Sequence, residues 1–254
     1  MAATERFVEL VAGEELPLDE VALLIAAHDH PVDIAGELSQ LDDLAAGAPD
    51  DAAALSRYLF MELGYAGDSV HYYDPRNSYL DEVRRRRVGL PITLSTLMLE
   101  VGRRRGIVLQ GIALPGHFLV GAGSGVFYDP FHGGTQLDEA DCRRRFAPRH
   151  WSAGPFPPAF LQPATNRQIV ARMLANLVGI FLPHDPVRAT WVLRLRLAIP
   201  VLAPGERCDI AMTLGNLGHY AEAARAIEAM LPELDKAQLE PARQALAGFR
   251  AHDN

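Results

Sequence analysis

Three short apolar runs in the middle of the chain constrain its fold more than any other feature. They cover residues 107–114, 117–120 and 126–129, and a glycine-rich stretch, GAGSG at 121–125, separates the last two. Short apolar runs bounded by glycine turns are typical of antiparallel strands joined as hairpins. No Gly-Lys-Ser/Thr sequence accompanies these glycines, which argues against a phosphate-binding loop. We therefore predict an antiparallel sheet at the centre of the chain.

The predicted hairpin brings a histidine and an aspartate together. If its turn is centred on Gly123, His117 and Asp129 are equally far from the centre and lie directly opposite each other. Opposed residues have Cβ atoms about 4.5–5.5 Å apart, so the aspartate can hydrogen-bond one imidazole nitrogen and fix its tautomer. Such a pair can act as a base with its orienting residue, or the two side chains can simply satisfy each other at the edge of a core.

Helical patterns precede the predicted strands. Apolar periodicity predicts one helix with Asp19 as its N-cap and another over residues 51–63. Proline is favoured at the first position of a helix, and an apolar stripe follows Pro91, so we predict a central helix from Pro91 to about Arg104. A further short helix is predicted over the acidic and then basic segment 137–146.

A proline-rich stretch at residues 148–163 divides this mixed region from a helical one. Such a stretch is typical of a linker, and the 254 residues leave room for two domains. We predict a first domain at residues 1–155 and a second at 156–254. The second domain is expected to hold helices over residues 165–182, 185–202, 206–217 and 220–231.

The helical region contains a candidate repeat. Ala189 and Ala223 occupy comparable positions 34 residues apart, which is the period of the tetratricopeptide repeat. The segment LGNLGHYAEAARAIEAM, residues 214–230, resembles the helix-turn-helix consensus of that repeat. Two units are fewer than a free-standing solenoid needs, so we expect the tail to pack on the first domain or to bind a partner.

Composition excludes several classes of function. The 24 basic and 32 acidic residues give a net charge of −8, so no global positive field attracts nucleic acid, and we expect the Arg84–Arg87 run to be a solvated helix end. Two cysteines are too few for a disulfide scaffold and indicate a reducing compartment. The sequence has no signal-peptide pattern and no long apolar run, so we expect a cytoplasmic protein without a membrane segment.

Four motifs in order resemble the bacterial SirB-type family. They are YDPRNSYL at 73–80, VGLPITLS at 88–95, PGHFLV at 115–120 and DPF with GG at 129–134. The resemblance covers nearly the whole chain after about residue 15. It implies an α+β fold, in which a transglutaminase-like domain of the papain-like cysteine-protease type precedes an all-α tetratricopeptide-like region.

The resemblance also implies a catalytic cysteine at the start of the central helix, with His117 and Asp129 as its partners. The nucleophile would fall at or beside Pro91, but no cysteine precedes Cys142, and Cys208 lies in the helical tail. A helix start lowers a thiol pKa and a histidine completes the thiolate–imidazolium pair, so this chemistry depends on the missing residue.

Hydroxyl groups are the remaining candidates for a nucleophile. Thr93 and Ser95 lie in the first turns of the central helix, where a hydroxyl more often caps the helix or bonds to its backbone. A metal site built from His117, Asp129 and His132 has no support from spacing or from surrounding residues, so we expect no metal and no cofactor.

Two functional hypotheses follow. The first is a non-catalytic transglutaminase-like protein with a vestigial His117–Asp129 pair, acting as a binding or regulatory module. Tyr73, Asn77 and Pro91 would help to hold a peptide or small ligand, and a protein partner would bind at this cleft or at the helical tail. The second is a hydrolase or acyltransferase that uses the Ser95 or Thr93 hydroxyl with His117 as base. Hydrogen-bond reach from either hydroxyl to the imidazole would favour the enzyme.

Overall fold

A computed structural model describes residues 3–123, 125–146 and 157–252. The chain forms two compact units. One is Glu15–Met173, and the other comprises the chain up to Glu14 together with the chain from Leu174 onward. The predicted domain boundary at residue 155 and most of the proline-rich linker lie outside the described residues.

The described residues form twelve α-helices and seven short strands. The helices are α1 Ala3–Ala12, α2 Leu18–Ala27, α3 Ile34–Ala46, α4 Ala52–Arg57, α5 Leu80–Arg86, α6 Pro91–Arg104, α7 Glu139–Phe146, α8 Asn166–Phe181, α9 Pro186–Leu197, α10 Pro204–Asn216, α11 Tyr220–Met230 and α12 Lys236–His252. The strands are β1 Ala66–Gly67, β2 Val88–Gly89, β3 Gln110–Leu114, β4 His117–Gly121, β5 Phe127–Asp129, β6 Thr135–Leu137 and β7 Pro163–Ala164. The predicted α+β class is confirmed.

The helices predicted from periodicity are present, but one predicted cap is wrong. Asp51 caps α4 by accepting a hydrogen bond from the Ala54 N–H at 2.9 Å, and a π-helical turn extends this helix to Glu62. Asp19 does not cap α2, because Pro17 occupies the N-cap position and Asp19 lies within the first turn. Its carboxylate is instead buried in ion pairs with arginines of α6.

The predicted antiparallel sheet is present with five strands in the order β6-β5-β4-β3-β7. Its β4–β5 register pairs Val120 with Tyr128, so the hairpin centre lies one residue later than predicted. Asp129 is therefore diagonal to His117 and not directly opposite it. Gly123 and Gly125 both have a positive φ, of 76° and 75°, which allows the longer turn.

Helix α6 forms the centre of the unit Glu15–Met173. It packs against α2, α3, α4, α5 and strand β4, and every residue from Pro91 to Gly102 is buried. The sequence predicted burial of one face only. A helix enclosed on all sides needs no polar face toward solvent, yet α6 buries Thr93, Ser95 and Glu100.

An ionic cluster around the buried carboxylates of Asp19 and Glu100 joins α6 to α2. The Asp19 carboxylate accepts hydrogen bonds from Arg103 at 3.0 Å and from Arg104 at 2.7 Å, while Glu100 accepts from the same arginines at 2.8 and 3.1 Å. Burial, and then the charge of Asp19, raise the pKa of Glu100 to about 7 although Arg103 opposes the shift. The cluster therefore holds a glutamate that gains a proton near neutral pH.

The other unit is helical. Its helices α10, α11 and α12 pack on one another around a shared apolar cluster, in which Ala223 is fully buried. The buried members of that cluster are Cys208, Ala211, Ala223, Ala224, Ile227, Met230, Ala242, Leu246 and Phe249. The segment that resembles the repeat consensus forms the end of α10 and the whole of α11.

None of the described helices is long and apolar enough to cross a membrane.

Candidate functional site

His117 and Asp129 are in contact as predicted, although the strand register differs. The Nε2 atom of His117 lies 2.9 Å from Oδ1 of Asp129, at hydrogen-bond distance. Asp129 is fully buried, and the His117 side chain is about nine-tenths buried. The shift in register is compatible with this contact because diagonal neighbours on one sheet face remain within reach of long side chains.

A second histidine shares the same carboxylate. The Nδ1 atom of His132 lies 2.7 Å from Oδ2 of Asp129, and the His132 backbone N–H donates to Oδ1 at 3.3 Å. One possible metal-ligand atom from each of His117, Asp129 and His132 lies within 4.8 Å of the other two. Sequence spacing did not predict this cluster, which the fold brings together.

The turn after β5 explains why His132 returns to Asp129. Pro130–His132 form a 3-10 turn capped by Asp129, and Gly133 and Gly134 follow with φ values of 70° and 69°. Positive φ is inexpensive only for glycine, so these two residues permit the tight reversal into β6. The Asp-Pro-Phe-His order is visible in the sequence, but the pattern of apolar runs does not predict its capped turn.

The two histidines keep the shared carboxylate ionised. Burial by itself raises the pKa of the Asp129 carboxyl, but the hydrogen bonds and positive charge of His117 and His132 outweigh burial and hold that pKa below its ordinary value. The ionised Asp129 carboxylate can accept one hydrogen bond from His117 Nε2 and another from His132 Nδ1.

A chain of aromatic contacts begins at His117, and we call its members, Tyr72, Tyr73, Phe131 and Phe146, the aromatic rim. The imidazole of His117 stacks on Phe146 at 4.6 Å between ring centroids and meets Phe131 edge-on at 6.1 Å. Phe131 contacts Tyr72, which in turn contacts Tyr73. Tyr73 is 71% exposed, so the rim reaches from the buried pair to solvent.

The predicted binding residue Asn77 is placed as a support for this rim. It is fully buried, and its amide nitrogen donates to Asp68 Oδ2 at 3.1 Å and to the His71 carbonyl at 2.8 Å. Its amide oxygen accepts from Arg86 at 3.1 Å. These bonds occupy the Asn77 side chain and fix the loop that carries Tyr72 and Tyr73.

The start of α6 presents no nucleophile to His117. Pro91 occupies the first helical position and is buried. The hydroxyls of Thr93 and Ser95 are buried, and neither has a hydrogen-bond partner among the described residues, the His117 imidazole included. The geometry that would favour hydroxyl catalysis is therefore not observed.

Both cysteines are free thiols, and neither lies in α6. Cys142 is buried in α7 within an apolar cluster, where burial and then Asp141 and Asp138 raise its pKa to about 11. Burial likewise raises the pKa of Cys208 in the helical unit. A thiol with a raised pKa is a poor nucleophile at neutral pH because little thiolate forms.

The Arg84–Arg87 run is tied to the protein itself. Arg84 makes a two-pronged contact with Glu37 at 2.6 and 2.8 Å, and Arg87 donates to the Leu63 carbonyl at 2.8 Å. These contacts stabilise the fold and leave the guanidinium groups less available to bind a phosphate backbone.

Comparison with known proteins places these observations in a family context. A family model described as transglutaminase-like superfamily matches residues 24–175. A UPF0162 protein of Xylella fastidiosa strain Temecula1 is 35% identical over 266 residues, covering 95% of this chain and 90% of its own length. A UPF0162 protein of Vibrio cholerae is 32% identical over 145 residues, covering 56% of this chain and 53% of its own length.

A more distant relative is longer. F-box only protein 21 of Mus musculus is 29% identical over 139 residues, which cover 50% of this chain and 21% of that protein. No solved structure matches this chain.

Proposed function

Because the chain belongs to the transglutaminase-like superfamily and retains a His–Asp pair, we propose that it is a non-catalytic member that binds a protein or peptide at the aromatic rim. The intact pair without a nucleophile carries this proposal. Pro91 stands where the family resemblance requires a thiol, and no described thiol or hydroxyl bonds to the His117 imidazole.

The aromatic rim supports binding rather than a purely structural role for the pair. Aromatic side chains supply large contact areas at low entropic cost, and they are enriched at interfaces. Tyr73 is 71% exposed, and His132 exposes 57% of its side chain beside the buried carboxylate. A ligand that covers these two groups would bury apolar area and reach a fixed hydrogen-bonding pair.

The remaining expectations belong to the same proposal. We assign the chain to the SirB-type group within its superfamily, place it in the cytoplasm, and interpret α10 and α11 as a tetratricopeptide-like pair. The 34-residue offset between Ala189 and Ala223, both fully buried, supports that interpretation. The helical unit would then offer a second surface to a protein partner.

Hydrolase or acyltransferase chemistry at Ser95 or Thr93 is not favoured. A nucleophile must lie within hydrogen-bond reach of its base, at about 2.6–3.2 Å, and neither hydroxyl makes such a bond. Both hydroxyls are also fully buried, so a substrate would have to enter the packed core around α6 to reach them.

Capture from an extract of the native cell tests the binding surface. Immobilised wild-type protein is compared with the variants Tyr73→Ala and His117→Ala, and retained proteins are quantified by mass spectrometry. We expect at least one protein to be retained by the wild type and to fall about tenfold or more with either variant, since loss of one buried aromatic contact costs about 1–2 kcal/mol.

Val108→Ala provides the matched control, because Val108 is 82% exposed and lies outside the rim. This control should retain the same proteins as the wild type. Equal retention by the wild type, Tyr73→Ala and His117→Ala would contradict binding at the rim and leave the helical unit as the interaction surface.

A further inference from the structure

We propose that His117, Asp129 and His132 form a binding site for a divalent transition-metal cation of the Zn²⁺ or Co²⁺ type. Two imidazoles and one carboxylate are a ligand set that such ions accept while keeping further positions open. The proposal goes beyond partner binding and does not depend on it, because the three ligands belong to this chain and the ion needs no peptide.

The three side chains bring their ligand atoms within 4.8 Å of one another, close enough to converge on one ion. Two ligand atoms about 2.1 Å from one tetrahedral metal ion lie about 3.4 Å apart, so the hydrogen-bonded separations would widen by roughly half an ångström when the ion binds. The observed separations are 2.9 Å from His117 Nε2 to one carboxylate oxygen and 2.7 Å from His132 Nδ1 to the other. An ion between the two nitrogens and the carboxylate would replace the protons that these groups now share, and binding would release them.

The three ligands are held in place by different contacts. Asp129 caps the turn that carries His132, and the His132 carbonyl accepts from the Thr135 hydroxyl at 2.7 Å. His117 is fixed by its stacking on Phe146. A site whose ligands are already oriented loses little entropy when the ion binds, and the partly exposed His132 leaves a path for its entry.

A second group of possible ligands is less suited to a cation. His30, Asp81 and Glu82 also have donor atoms within 4.8 Å of one another. However, this group offers one imidazole instead of two, and the Arg85 guanidinium lies 2.5 Å from Glu82 Oε1. We therefore assign the ion to the site at Asp129.

Titration of tag-free, chelator-treated protein with Co²⁺ tests the assignment, with visible absorption as the readout and Zn²⁺ as competitor. We expect one equivalent of Co²⁺ to bind, Zn²⁺ to displace it, and affinity to fall about 100-fold or more in His132→Ala and Asp129→Asn. His132→Gln keeps a hydrogen-bond donor toward Asp129 but provides a poor ligand, so it should fold normally and show the same loss.

His30→Ala separates the two groups of ligands and should bind Co²⁺ like the wild type. The proposal is overturned if the wild type binds no Co²⁺, if His132→Gln binds it unchanged, or if His30→Ala removes the binding. Peptide retention is measured on the chelator-treated protein, so failure of the metal site and failure of the proposed binding function are distinguishable.

Discussion

Replacement of Asp129 by alanine is expected to lower the free energy of unfolding by about 3 kcal/mol. The substitution removes a buried carboxylate that accepts from His117 and His132, and charge-assisted hydrogen bonds contribute roughly 1.5–3 kcal/mol each. It also removes the cap of the Pro130–His132 turn and leaves the buried Nε2 of His117 without its partner. Urea denaturation at pH 7 measures the change.

Asp43→Ala is the matched control, because Asp43 is exposed on α3. This control should change the free energy of unfolding by less than about 0.5 kcal/mol. A similarly small effect of Asp129→Ala would show that the two imidazoles gain nothing from the carboxylate, and the account of the pair would have to be abandoned.

Raising the pH from 5 to 8 is expected to destabilise the wild-type protein by about 2–3 kcal/mol relative to Glu100→Gln. The pKa of Glu100 is raised to about 7 from an ordinary value of 4.5. Between these two values the folded state holds a proton that the unfolded state has lost, so the free energy of unfolding falls as pH rises. The amide introduced by Glu100→Gln does not titrate, and it can still donate a hydrogen bond toward Asp19. Urea denaturation of both proteins at the two pH values gives the difference.

Glu62→Gln serves as the control for this experiment, since the Glu62 side chain is 58% exposed. It should follow the wild-type pH dependence. If the stability of Glu100→Gln showed the same pH dependence as the wild type, a group other than Glu100 would take up the proton between pH 5 and pH 8.

Local patterns were sufficient to predict much of the fold. The apolar runs around the GAGSG turn and the stripe after Pro91 predicted the hairpin and α6, because both signals depend on neighbouring residues. The predicted register of the β4–β5 hairpin was wrong, because register depends on turn geometry. Gly123 and Gly125, both with positive φ, lengthen the turn.

Local patterns could not predict contacts between residues that are far apart in the sequence. Asp19 lies 84 residues from Arg103, so nothing near Asp19 distinguishes a buried ion pair from a helix cap. The site was predicted only in part for the same reason. His117 and Asp129 were identified from the hairpin, whereas the contribution of His132 required the capped turn, and the supporting role of Asn77 required knowledge of its three partners.

A search for His117-dependent reaction products tests most directly whether this transglutaminase-like chain binds without catalysis. Wild-type and His117→Ala proteins are incubated with a peptide digest of the native proteome and a biotinylated primary amine, and products are quantified by mass spectrometry. Our account predicts equal, background levels of cleaved, deamidated and amine-linked peptides with both proteins. A product that forms with the wild type and is lost in His117→Ala would contradict it.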